Sequence, residues 1–265
     1  MSSLVMYEPF VDKVNVGFIS AMASHAKTSQ TFDLFTWMQF YAFDVIGEIT
    51  IGRSFGLIEA GRDKNGLLHA IHQTTISYGS NAGLVPEIHP LYIWLQDILP
   101  MPSPVKVVLG AIKGEISKRV QGESFSDRQD FLEKCTELSK AGKMDQFTMQ
   151  NAIGANIGAG SDTTGITLTA IIYYLMKNPA CLQKLRLEID TAEQEEYLSS
   201  PPTFKEGQKL PYLQATIKEA LRLHPAVGQI LARVVPEGGA ELAGRFFPQG
   251  VSHAITNLRT HRPKC

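Results

Sequence analysis

The run from Asp145 to Met176 constrains the chain most strongly. Apolar and small residues recur there at helical spacing for about 30 residues, against a usual helix length of about 11–12. Asn178-Pro179 ends it, because proline cannot continue the hydrogen-bond ladder, and Pro179 opens a new helix expected to reach Ala192. The pattern predicts a mainly α protein.

The flanking sequence agrees. Helical periodicity is present over 8–26, 64–79, 105–121 and 129–142, and the more apolar 32–52 reads as a buried helix. Residues 83–104 carry prolines at 86, 90, 100, 102 and 104 and are expected to be irregular. After a loop at 199–202, Leu210-Pro211 opens a helix from Tyr212 to Leu223, which His224-Pro225 stops. Sheet-like runs appear only in 230–247, where ILARVV and ELAGRFF, joined by Pro236 to Gly239, predict one small β-hairpin.

Charge and cysteine content exclude several classes. With 25 Lys+Arg against 26 Asp+Glu, the chain lacks the basic excess of an electrostatic nucleic-acid binder. Cys135, Cys181 and Cys265 are too few and too scattered for a disulfide framework or a zinc site, which favours a reducing, intracellular compartment. The N-terminus lacks the basic and apolar regions of a signal peptide. The longest uncharged stretch, Gln146 to Ser161, is too short and too polar to span a bilayer, so no membrane anchor is expected.

Chemistry-bearing patterns concentrate in two places. The first is GAGSDTTG at 158–165, within the long helix. Ala152, Ala155, Ala159 and Thr163 share a flat, narrow face there, which a large planar ligand can approach, and Asp162 and Thr163 place a carboxylate and a hydroxyl beside it for proton relay. The alternative is close helix packing through small residues, with Asp162 solvated. The second is Glu219–Arg222, an i, i+3 acid–base pair among leucines, where partial burial would give a bidentate pair of fixed geometry. His69 and His72 stand at i, i+3 and offer two metal ligands without a third, so a solvated face is the preferred reading and no metal site is assigned to them. The glycines do not fit a dinucleotide or P-loop pattern, and no G-x-S-x-G elbow occurs.

The order of these motifs resembles the cytochrome P450 family of haem-thiolate monooxygenases. Ala159-Gly160-Ser161-Asp162-Thr163-Thr164 looks like the motif of that family's long central helix, and Lys218 to Pro225 looks like its E-x-x-R helix. Phe43-Asp44-Val45-Ile46-Gly47-Glu48 with Gly52 and Phe55-Gly56, and Arg233 to Gly239, resemble further family segments in fungal members. The resemblance implies a mainly α, partial cytochrome P450 fold over residues 1–250, with 251–265 a non-family tail.

By that resemblance Ala159 and Gly160 lie against the porphyrin, Asp162 and Thr163 deliver protons, Glu219 and Arg222 support the haem-facing core, and Arg233 neutralises a haem propionate. The implied cofactor is haem. The implied partners are a small organic substrate and an NADPH-dependent reductase, and relatives are commonly anchored to the endoplasmic reticulum. The pattern departs from the family at both ends, since Met1 corresponds to a point several helices into a family member. The glycine-rich loop that carries the iron-ligating cysteine is missing after the E-x-x-R helix, Cys181 reads as a packing residue, and Cys265 lacks the loop's glycines. The chain is therefore expected to lack the family's N-terminal sheet region and C-terminal haem-cysteine loop. The alternative to a monooxygenase is a catalytically inactive fragment that does not retain haem.

Overall fold

The structure, a computed structural model, describes residues 5–28, 31–64, 66–84, 88–99, 104–120, 129–228 and 233–253. The described helices are α1 (Glu8–Thr28), α2 (Leu34–Ile51), α3 (Leu57–Ala60), α4 (Leu67–Leu84), α5 (His89–Ile98), α6 (Pro104–Val120), α7 (Phe131–Lys140), α8 (Gln146–Lys177), α9 (Pro179–Gln194), α10 (Phe204–Gly207) and α11 (Pro211–Leu223). Four short strands follow: β1 (Arg233–Val234), β2 (Ala240–Leu242), β3 (Arg245–Phe247) and β4 (Ser252–His253).

α8 organises the fold. It is 32 residues long, about 48 Å at 1.5 Å per residue. Asp145 caps its start by accepting from the Thr148 N–H, and Pro179 begins α9 one residue past its end. Its first half is buried against α2, with α6 and α7 alongside. Phe40, Phe43 and Ile51 from α2 meet Met149, Ile153 and Ile157 from α8 there, and Leu68, Ile71, Ile112, Ile116 and Leu132 complete the core. Its second half carries α9 and α11.

Polar groups fix the corners of this core. Asp44, 2% exposed, accepts from the N–H groups of Leu57 and Ile58 and so caps α3. Glu48 accepts from Lys13 Nζ at 2.7 Å and from the Ser54 N–H. Gly52 ends α2 in the left-handed region at φ 75°, where a Cβ would lie 2.5 Å from Asp130 Oδ2. Asp130 in turn pairs with Arg119 at 2.6 Å and caps α7 through the Glu133 N–H.

Two expectations change. Residues 83–104 are not wholly irregular: α5 forms between them, with Pro90 in its first turn, where a missing N–H costs nothing. The hairpin is also paired differently. ELAGRFF folds back on itself as β2–β3, with Leu242 opposite Arg245, because Ala243 and Gly244 both adopt positive φ (50° and 73°) and make a two-residue turn. β1 pairs instead with β4, Arg233 opposite His253. Among the described residues, no helix is long and apolar enough to cross a membrane.

Candidate functional site

The GAGSDTTG segment lies in the middle of α8, and its residues divide between two jobs. Part of it packs. A Cβ on Gly160 would fall 2.8 Å from Ile46 Cδ1, and one on Gly165 would fall 2.8 Å from the amide carbon of Gln39. These glycines let α2 and α8 approach closely. The Cβ direction of Gly160 faces Ile46 on α2. Asn156 Nδ2 donates to Thr50 Oγ1 at 2.7 Å on the same side.

The rest of the segment stays open. Ala155 and Ala159 are exposed, and nothing lies within 4 Å of a Cβ placed on Gly158. These positions form a smooth strip on one helix face. The hydroxyls of α8 turn back on their own helix: Ser161 donates to Ile157 O at 2.7 Å, Thr163 to Ala159 O at 2.7 Å and Thr167 to Thr163 O at 2.7 Å.

Asp162 is not solvated. Its side chain is 15% exposed, and Oδ1 lies 2.8 Å from Nε2 of His72 on α4. The Phe43 ring stands edge-on to the imidazole, with centroids 6.4 Å apart. The sequence gives no sign of this pair, because 90 residues separate the partners. Of the two histidines expected on a solvated face, His69 is exposed, but His72 is half-buried against Asp162. Among the described residues, no group of three or more His, Cys, Asp or Glu stands ready for a metal ion.

Glu219 and Arg222 make the bidentate pair anticipated, at 2.7 Å and 2.5 Å. The arginine's hydrogen bond holds the Glu219 carboxyl below its ordinary range. The pair is not buried: its side chains are 54% and 35% exposed. It borders a cleft of about 430 Å³ between the second half of α8, the start of α9 and α11, lined by Ile171, Leu175, Cys181, Tyr212 and Leu223. That cleft begins nine residues beyond Asp162, about 13 Å along the helix. α11 thus packs on α8, yet the cleft it borders lies further along the helix than the Asp162–Thr163 site. Arg233 is exposed on β1, and His224 sits at the C-terminal end of α11.

The donor set bears on a haem-type cofactor in two ways. The Ala155–Ala159 strip fits one face of a flat apolar group. Neither described cysteine is placed to offer a thiolate to a group lying on that strip. Cys135 is 2% exposed in the core, where burial and then the Asp130 charge push its thiol up, away from the thiolate. Cys181 lies at the far end of α8, about 20 Å along the axis from Thr163. Cys265 lies outside the described residues.

The family model described as Cytochrome P450 matches residues 1–265. Two pisatin demethylases of Fusarium vanettenii are 37% and 38% identical over all of this chain, which covers 53% and 52% of their lengths. A cytochrome P450 monooxygenase of Penicillium aethiopicum, gsfF, is 34% identical over 94% of the chain, covering 52% of its own. The chain spans about half the length of these curated relatives. A crystal structure of a cytochrome P450 (CYP102L1) superposes with a TM-score of 0.77 at 18% identity, over 98% of this chain and 55% of that one, which establishes likeness of fold.

Proposed function

Because the chain belongs to the cytochrome P450 family, we propose that it forms the oxygen-side wall of a haem monooxygenase site. The activity is insertion of one oxygen atom of O2 into a small organic substrate, with electrons from an NADPH-dependent reductase. The observation that carries this reading is the open Ala155–Ala159 strip directly beside Asp162 and Thr163. Haem, when bound, supplies the iron centre at which dioxygen is activated.

The chain's own residues do the rest. Ala159, with Ala155 and Gly158, offers a surface without projecting side chains, so a planar group can lie against the backbone. Gly160 contributes by drawing α2 in behind that surface. Thr163 Oγ1 spends its proton on the Ala159 carbonyl, which leaves its lone pairs facing outward as acceptors. Asp162 holds or releases a proton at its carboxylate. The Arg233 guanidinium suits a carboxylate such as a propionate, and the Glu219–Arg222 pair braces α11 beside the cleft.

A second reading follows from the donor set: Cys135 is buried with its thiol pushed up and Cys181 lies away from the Ala155–Ala159 strip, so among the described residues no thiolate would hold a haem, and the polypeptide would fold without keeping it. One measurement separates the two. The purified chain is mixed with haem, reduced and exposed to carbon monoxide. A red-shifted thiolate-type Soret band supports the monooxygenase reading, and pisatin, named for two relatives, is the first substrate to test. A histidine-type band, or no retained haem, supports the inactive fragment.

A further inference from the structure

The two groups expected to relay protons point different ways. Asp162 and Thr163 are adjacent, so their side chains leave α8 about 100° apart. Thr163 is tied to Ala159 O, while Asp162 is tied to His72. The acid is therefore not waiting beside the hydroxyl; it is held toward α4 by an imidazole. The burial pattern adds a direction: the His72 side chain is 31% exposed and that of Asp162 only 15%. The imidazole is the more accessible of the two groups. The Phe43 ring fixes the imidazole plane from the α2 side.

We infer that His72 is the positioning residue of Asp162 and the port through which a solvent proton reaches it. Imidazole is suited to this because its two nitrogens are chemically distinct ends. Nδ1 takes a proton from water, and Nε2 hands its own to Asp162 Oδ1. The relay leaves the ring as its Nδ1–H tautomer; once Asp162 has turned away, Nδ1 returns that proton to water and Nε2 takes one from water, which restores the starting tautomer, and no oxidant or reductant is involved. The protonated carboxyl, no longer an anion, is released from His72 and free to turn along α8 toward the Thr163 side. The inference deepens the monooxygenase reading and rests on it for its purpose, but the clamp itself does not require haem.

The test begins on the chain alone. In a 15N-labelled sample, the imidazole N–H of His72 is identified among the seven histidines by its loss in His72→Gln. Its exchange with water is then compared between the native chain and Asp162→Ala. The inference expects exchange to be slower in the native chain by about tenfold, the effect of one net charge-assisted hydrogen bond. Equal rates overturn it. His72→Gln then separates clamp from port in haem-loaded protein, since a glutamine amide can hold Asp162 but cannot gain and lose a proton at opposite ends. Dioxygen-driven turnover is expected to fall at least about tenfold. Most of that loss is recovered when hydrogen peroxide replaces dioxygen and reductant, because peroxide already carries the protons. An equal deficit with both oxidants overturns the port. Native protein inactive with either oxidant contradicts the monooxygenase reading instead, and the exchange rates still decide the clamp.

Discussion

Ile46 fills the space that a side chain at position 160 would need: a Cβ on Gly160 would sit 2.8 Å from Ile46 Cδ1 and 3.1 Å from Cγ1. Gly160→Ala therefore meets two opposed effects. Alanine gains about 1 kcal/mol of helix propensity over glycine, while overpacking a tight contact costs about 1–3 kcal/mol. The expected result is a net loss of stability of about 1 kcal/mol in urea unfolding. In an Ile46→Ala background the clash is gone, and the same substitution is expected to stabilise. A loss of equal size in both backgrounds would show that Ile46 is not the obstacle.

Asp130 serves two masters. It is 1% exposed, pairs with the buried guanidinium of Arg119 at 2.6 Å and caps α7. Asp130→Ala leaves Arg119 with Glu133 at 2.7 Å as its remaining carboxylate partner, and is expected to cost about 3 kcal/mol. A cost below about 1 kcal/mol, read from the urea midpoint, would mean that water or Glu133 replaces Asp130 fully.

Glu206 gives a pH signature. Backbone hydrogen bonding at Thr203 and then the Ser199 hydroxyl lower its pKa to about 2. An unfolded glutamate titrates near 4.3. The folded value is depressed, so this carboxylate contributes stability that is fully present above about pH 4.3 and is lost as pH falls through about 2. A carboxyl 13C titration of the folded chain is expected to show Glu206 still ionised near pH 3. A midpoint near 4.3 would mean that the hydrogen bonds from the Thr203 N–H and the Ser199 hydroxyl to Glu206 are not formed in solution.

Thr163→Val keeps the shape of the side chain and removes its hydroxyl. The helix is expected to remain, since a back-bond from threonine to the i−4 carbonyl is not required for α8 to form. Product formed per NADPH oxidised by the haem-loaded protein is expected to fall by at least about a hundredfold, the low end for loss of an acid–base group. Unchanged coupling would remove Thr163 from the chemistry.

Much of the fold was legible because local chemistry dictated it. Asn178-Pro179 separates α8 from α9, and Asp145 and Leu210-Pro211 mark helix starts where the structure has them. The order of the Asp162–Thr163 and Glu219–Arg222 motifs carried the family. What failed depended on distance or on backbone handedness. Leucines around Glu219 suggested burial, but nothing among the described residues covers the pair enough to bury it. The β2–β3 turn required a positive φ at Ala243, which alanine does not advertise. His72 could not be matched to Asp162, because neither residue's neighbours in sequence say which helix faces them.

The pairing of α2 with the first half of α8 also sets the order in which this chain can assemble. Asn156 reaches Thr50 across 106 residues of sequence, so joining the two helices closes a long loop before any of their contacts exist. α8, α9 and α11 are neighbours in sequence and dock with little such loss. On loop-closure grounds the C-terminal helices are expected to dock first and the capture of α2 by α8 to be the slower event. Substitutions at Gly160 or Ile46 are then expected to change the folding rate, and changes around Glu219 mainly the unfolding rate.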